Sequence, residues 1–263
     1  MARNPYRRRV RPSQDHLPEV DISEEGNIRS LHLGSATVQS SMNLDDPAEL
    51  VLSYSRSMMA WLLFMDAPKH ITQIGLGGGS FTRWIDLYLP DTQSVAVEIN
   101  PQVIAVARAF FELPFEGERF NIVEGDGAEY IKICRASTDV IMVDGFDGEQ
   151  IVDDLVSEDF FEHCKTALTE QGVFITNWWS GDKRYQMFVE RLLSVFNGLV
   201  LEVPAASHGN IAVMAFKDTP AFVKFSELET RVEALSAQYH LDFKQMLETI
   251  KSSNLNNGKT LFL

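Results

Sequence analysis

Apolar residues along this chain follow two periods. From residue 71 onward, short apolar runs bounded by Gly, Asp or Asn alternate with stretches whose apolar positions recur every three or four residues. The runs read as buried strands and the stretches as amphipathic helices. Strands are expected at 72–75, 94–98, 120–124, 140–144, 173–177, 199–203 and 210–216. Helices are expected between them at 82–89, 101–111, 128–135, 158–169 and 183–196. Such alternation implies a parallel sheet with helices on its faces. Only residues 204–209 separate the last two strands, too few for a crossover helix, so those two should close the sheet as an antiparallel hairpin.

The flanks differ. Two alternating runs within residues 20–33 surround Glu25-Gly26-Asn27 and predict a β-hairpin, with a third strand at 36–39. This N-terminal β unit, residues 18–45, is too small to be secure alone and should pack on the main domain or on a second subunit. Asp45-Asp46-Pro47 should cap a helix running through Leu50, Tyr54, Met58, Trp61 and Leu62. The main α/β domain then spans 46–218, two helices fill 219–251, and the last dozen residues read as loose.

Charge sharpens the picture. The net charge of −14 hides five arginines in the first eleven residues; the remainder carries 18 basic against 37 acidic residues, a net −19. Residues 1–17 read as a basic disordered tail. The acidic body argues against nucleic acid and suits a cationic substrate. The longest apolar run, near Met58 to Met65, is too short to span a membrane, and no apolar stretch follows the basic start as in a secretory signal. Cys134 and Cys164 read as reduced thiols, and no His, Cys or Asp grouping has metal-ligand spacing. A cytoplasmic protein is expected.

The candidate chemistry starts at Ile71 to Thr82, where an apolar run meets Gly75-Leu76-Gly77-Gly78-Gly79-Ser80 and an amphipathic run follows. Strand, glycine turn and helix start together form a cradle for a nucleoside-type ligand. In a doubly wound sheet the ligand lies beyond the strands' carboxyl ends. Four carboxylates stand there: Glu98 after the second strand, Asp126 in Gly125-Asp126-Gly127 after the third, and Asp144 and Asp147 after the fourth. Any one of them, Asp126 above all, could be a helix cap. The set on one edge is the signal.

This pattern resembles the spermidine synthase, or polyamine aminopropyltransferase, family, built on the Rossmann-like class I methyltransferase fold. The resemblance covers residues 20–217. It rests on the hairpin unit, Gln39, Tyr54-Ser55-Arg56-Ser57-Met58, Gly75 to Ser80, Glu98, Gly125-Asp126-Gly127, the run from Thr138 to Phe161 and Ser207-His208-Gly209-Asn210-Ile211. It implies an α/β fold with a seven-stranded, mostly parallel sheet ending in an antiparallel hairpin. It also implies decarboxylated S-adenosylmethionine as co-substrate, with no permanently bound cofactor, and a small amine such as putrescine as acceptor. Gly75, Gly77, Gly78, Gly79 and Gly127 would cradle the nucleoside, with Glu98 on the ribose, Asp126 on the adenine amine and Gln39 beside them. Asp144 would be the base, while Tyr54 and Asp147 line the amine pocket. A homodimer through the N-terminal unit follows from the same resemblance.

Departures are also visible. Gly78 stands where the family's loop has its aspartate, Gly148 where it has proline, Arg56 where it has an acid, and Ala205-Ala206 where it has an aromatic residue. The empty position at Gly78 favours a second reading, methyl transfer from S-adenosylmethionine, with Asn177-Trp178-Trp179 helping to hold the acceptor; strand-end packing is the plainer role for the two tryptophans. A third reading is a nucleoside-binding homologue that has lost catalysis.

Overall fold

Three antiparallel strands open the computed structural model, which describes residues 17–146, 151–207 and 209–263. These are β1 (Val20–Glu25), β2 (Ile28–Leu33) and β3 (Val38–Asn43). The third strand lies later than the alternation suggested, because its middle, Ser40-Ser41, buries hydroxyls rather than hydrocarbon, and Ser30 Oγ meets Ser41 Oγ at 2.9 Å. Leu31 and Met42 pack on Phe111, so the small sheet rests on the main body.

The helix expected from residue 47 is broken. Residues 46–52 form turns, helix α1 is only Ser53–Ser57, and a 3-10 turn follows at Ala60–Leu63. The Arg56 guanidinium explains the break: it takes the Leu50 and Val51 carbonyls at 2.5 and 2.9 Å, which a continuous helix would give to its own N–H groups.

The main sheet alternates as expected through β4 (His70–Ile74), α2 (Ser80–Tyr88), β5 (Gln93–Glu98), α3 (Pro101–Phe110), β6 (Phe120–Glu124), α4 (Gly127–Ile131) and β7 (Thr138–Val143). A 3-10 turn at Asp153–Val156 leads to α5 (Glu158–Ala167), β8 (Leu168–Trp179), α6 (Tyr185–Val195), β9 (Val200–Pro204) and β10 (Asn210–Phe216). The seven strands lie in the order β6-β5-β4-β7-β8-β10-β9. The first five run parallel, and β10 is antiparallel to both β8 and β9. Alternate residues of the central strands feed opposite faces, as in any parallel sheet covered on both sides. Val140, Met142 and Ile175 join one core with Trp84 and Ile85 of α2, whereas Ile141, Val143 and Phe174 join another with Phe160, Phe161 and Phe188.

The C-terminal segment is tied down, not loose. After β11 (Phe222–Lys224), α7 (Phe225–Tyr239) and α8 (Phe243–Ser253), strand β12 (Thr260–Phe262) returns to pair with β11 and buries Leu261. The Asn254 amide accepts from the Glu202 N–H at 2.8 Å and donates to the Glu202 carbonyl at 2.7 Å, pairing with the outer edge of β9 as a strand would. Its asparagines read as loop, yet the amide of Asn254 supplies the hydrogen bonds that dock this segment. No helix among the described residues is long and apolar enough to cross a membrane.

Candidate active site

Strand order reverses between β4 and β7, and the crevice this opens lies beyond their carboxyl ends. There the protein encloses a cavity of about 740 Å³. Gln39, Tyr54, Gly75, Gly77, Glu98, Asp126, Gly127 and Asp144 all line it, so one surface gathers residues from six separate parts of the chain. Asp147 lies outside the described residues.

On the β4–β5 side, Glu98 is 8% exposed, and its carboxylate accepts the Leu76 N–H at 2.9 Å and the Asn100 N–H at 2.8 Å. Burial pushes its pKa above the ordinary carboxylate value, against the opposing pull of these backbone N–H groups. The Gly loop is thereby fastened to the end of β5. Asp126 caps α4: one of its oxygens, Oδ1, accepts from Ala128 N at 2.8 Å and Glu129 N at 3.4 Å. Its other oxygen takes no hydrogen bond among the described residues and stays available to the cavity. The cap and the ligand role are therefore compatible.

Gly78 and Gly79 do not line the cavity. A Cβ on Gly78 would lie 2.7 Å from Phe111 Cδ1 and 2.9 Å from Ser40 Oγ, and one on Gly79 would lie 2.1 Å from Leu113 Cδ2. Both residues pack the back of the loop against the chain after α3, and their role is close approach. Arg83, 5% exposed, locks this arrangement by donating to the carbonyls of Gly78, Phe111 and Pro47. Burial lowers its pKa to about 10, which leaves it charged at neutral pH. Gly78→Asp should therefore lower the melting midpoint by roughly 2–10 °C through overpacking, without changing which sulfonium ligand is preferred. Calorimetry with the intact and decarboxylated ligands on the folded variant checks this; a switch in preference would show that position 78 does reach the ligand.

On the β7–β8 side stands Asp144, open to the cavity and otherwise surrounded by protein. Tyr54 OH donates to its Oδ2 at 2.9 Å and lies 3.1 Å from the Gln39 carbonyl. Asn177 Nδ2 donates to Oδ1 at 3.0 Å, and Asn210 Nδ2 donates to Asn177 Oδ1 at 3.0 Å. Burial raises the Asp144 pKa, and the Asn177 and Tyr54 hydrogen bonds pull it back part of the way. Tyr54 is held protonated, its pKa well above the ordinary phenol value through burial and the adjacent carboxylate. A further bond, Ser53 Oγ to Ser207 Oγ at 2.7 Å, ties α1 to the β9–β10 connection over the same cavity. The sequence pattern missed the Asn177–Asn210 relay and Asp154, a fourth carboxylate on the cavity wall. The acid-rich run 144–161 was the available signal for Asp154. For the relay there was none, since only the pairing of β10 with the non-consecutive strand β8, at the register Ala212↔Asn177, brings these residues together.

A family profile described as spermine/spermidine synthase domain matches residues 52–225. The chain belongs to the spermine/spermidine synthase family. It is 69% identical to a polyamine aminopropyltransferase of Neisseria meningitidis serogroup A over 264 residues, all of both chains. Likewise it is 65% identical to a polyamine aminopropyltransferase of Chromobacterium violaceum over 99% of this chain and all of the other. A solved spermidine synthase in complex with the transition-state analogue AdoDATO superposes with a TM-score of 0.69 at 20% identity, over 92% of this chain and 84% of that one. At that identity the likeness speaks for the fold. Membership makes the protein a transferase of the polyamine aminopropyltransferase kind, and the methyl-transfer reading loses its main support, because Gly78 faces Phe111 and Ser40.

Proposed function

We propose that the cavity binds decarboxylated S-adenosylmethionine on the β4–β5 side and a small cationic diamine on the β7–β8 side. The acceptor ammonium passes a proton to Asp144, which needs a raised pKa to compete for it. The freed nitrogen lone pair attacks the aminopropyl carbon bound to the sulfonium sulfur. As the new C–N bond forms, the C–S bond breaks and its electron pair stays on sulfur, leaving a neutral thioether. A sulfonium needs no general acid, so the remaining task is to hold the reactants in line. Glu98 takes the ribose hydroxyls, Gly75 and Gly77 the loop side of the nucleoside, Asp126 the adenine amine, and Gln39 and Gly127 the adjoining wall. Tyr54 faces the acceptor, and the family resemblance gives Asp147 a role beside it.

One observation supports this assignment above the others: a carboxylate with both oxygens held by neutral donors, in a cavity shared with a buried carboxylate two strands away. The analogue AdoDATO, in the solved spermidine synthase, belongs to the same chemistry. The test is turnover with each sulfonium ligand and putrescine, with mass spectrometry of the product. Addition of an aminopropyl group from the decarboxylated donor is expected; methylation by the intact donor, or binding without turnover across a panel of amines, would overturn the proposal. The same reading includes a cytoplasmic homodimer joined through the β1–β3 sheet, and a monomer in sedimentation velocity would remove the dimer from it.

A further inference from the structure

Of the four tryptophans, Trp61, Trp84 and Trp178 are each no more than 1% exposed, whereas Trp179 is 52% exposed and lines the cavity. Adjacent residues of a strand point to opposite faces. Trp178 accordingly packs among Phe161, Tyr185 and Phe188, while Trp179 stands on the same side as Asn177, whose amide holds Asp144. The indole has a fitted seat. A Cβ on Gly181 would lie 2.4 Å from its Cζ2, and one on Gly209 would lie 3.3 Å from its Nε1. The ring is thus laid against bare backbone from both sides of the turn. Pairing of Trp179 with Asn210, and the Ser180 N–H to Gly209 carbonyl bond at 2.9 Å, hold that turn in place.

We propose that this indole is the wall against which the distal ammonium of a short diamine acceptor packs, so that Trp179 sets the preference for a diamine over a monoamine. The inference rests on the aminopropyl-transfer reading and deepens it. Position decides which reactant the ring serves. The nucleoside groups stand on β4 and β5, whereas β8 lies on the far side of β7, beyond Asp144. Two residues along a strand advance about 7 Å, which separates the indole from the Asn177–Asp144 contact by the length of a short diamine. One amine can then sit at Asp144 while the other meets the ring. An ammonium over an indole face is attracted by the ring quadrupole, and more strongly where water is excluded. The Asp154 carboxylate on the same cavity wall adds to the attraction for a second positive charge.

The test compares wild type, Trp179→Phe and Trp179→Ala with putrescine and with butylamine, which lacks the second ammonium, at saturating donor. Trp179→Ala should raise KM for putrescine roughly tenfold, Trp179→Phe far less, and neither should move KM for butylamine or for the donor. Parallel losses with both amines would mean that the ring only packs the strand end, and unchanged putrescine KM would overturn the proposal outright. Fluorescence gives a second readout, because the other tryptophans are buried: putrescine should perturb wild-type emission and leave Trp179→Phe unaffected. If wild type transfers no aminopropyl group, the parent reading fails; the putrescine titration still reports whether a diamine sits on Trp179, and a silent titration overturns that too.

Discussion

Asp144→Asn is expected to lower kcat by about two to four orders of magnitude and to leave donor affinity nearly unchanged. The substitution keeps shape and removes the proton acceptor. Its amide can be accommodated: with the new carbonyl toward Tyr54 OH, the new NH₂ faces Asn177, which turns its carbonyl inward and its NH₂ toward Asn210, and Asn210 turns its own carbonyl to accept it. Stability should therefore hold or rise. The sign follows from linkage. Burial raises the Asp144 pKa above its unfolded value, so this group's contribution is most favourable below the unfolded pKa and is lost as pH climbs through the raised one. At neutral pH the ionised group is a cost that Asn does not carry. Activity has the opposite dependence, because only the deprotonated carboxylate accepts a proton: kcat should fall as pH drops through a midpoint above the ordinary carboxylate range. Asn177→Ala removes a hydrogen bond that lowers this pKa and should move the acid limb to higher pH. A pH–rate profile and a urea titration of each variant check both statements. An Asp144→Asn enzyme that loses stability but keeps its activity per folded molecule would reduce Asp144 to a structural residue.

The sheet was legible because its strands are buried on both faces and written as apolar runs, such as Val140 to Val143, between glycine and acidic punctuation. Helices α3 and α5 were legible for the same reason, each starting at a cap, Asn100 or Ser157. What failed was local order made by side chains acting as backbone. Arg56 took the carbonyls that the helix near residue 50 needed, and Asn254 supplied the pairing that docks the C-terminal segment on β9. Neither is periodic, so no hydrophobic pattern records it.

The same division runs through the site. Glu98, Asp126 and Asp144 could be placed because the parallel topology forces all strand ends to one edge. Gly78 and Gly79 were misplaced because spacing tells where a glycine stands but not which way a Cβ would point. Their vectors run into Phe111 and Leu113, residues some thirty positions away in sequence. The Asn177–Asn210 relay likewise depends on the register of β8 against β10, two strands that no turn joins.

Gly75→Ala should be severely damaging for a single added methyl, costing about 2–5 kcal/mol of stability from positive-φ strain and overpacking together. Gly75 has φ +93°, and a Cβ there would lie 2.2 Å from the Asp144 carbonyl oxygen and 3.0 Å from its carbon. Both obstacles are backbone, so no rotamer relieves them. The chain is also pinned on both sides: Gly75 N donates to the Val97 carbonyl and Asp144 N to the Ile74 carbonyl, each at 2.9 Å. The methyl must force the ends of β4 and β7 apart. In the proposed reaction those ends carry the donor loop and the base, so the separation enters it directly, and a displacement of about 1 Å costs about a hundredfold in kcat. Gly26→Ala is the control. It too has a positive φ, +61°, but nothing lies within 4 Å of its added Cβ, so it bears the strain without the collision. Urea unfolding and turnover per folded molecule should separate the two, with Gly26→Ala mildly destabilised and fully active. Equal losses in both would mean that backbone conformation alone, and not the closeness of the two strand ends, is what the loop's first glycine provides.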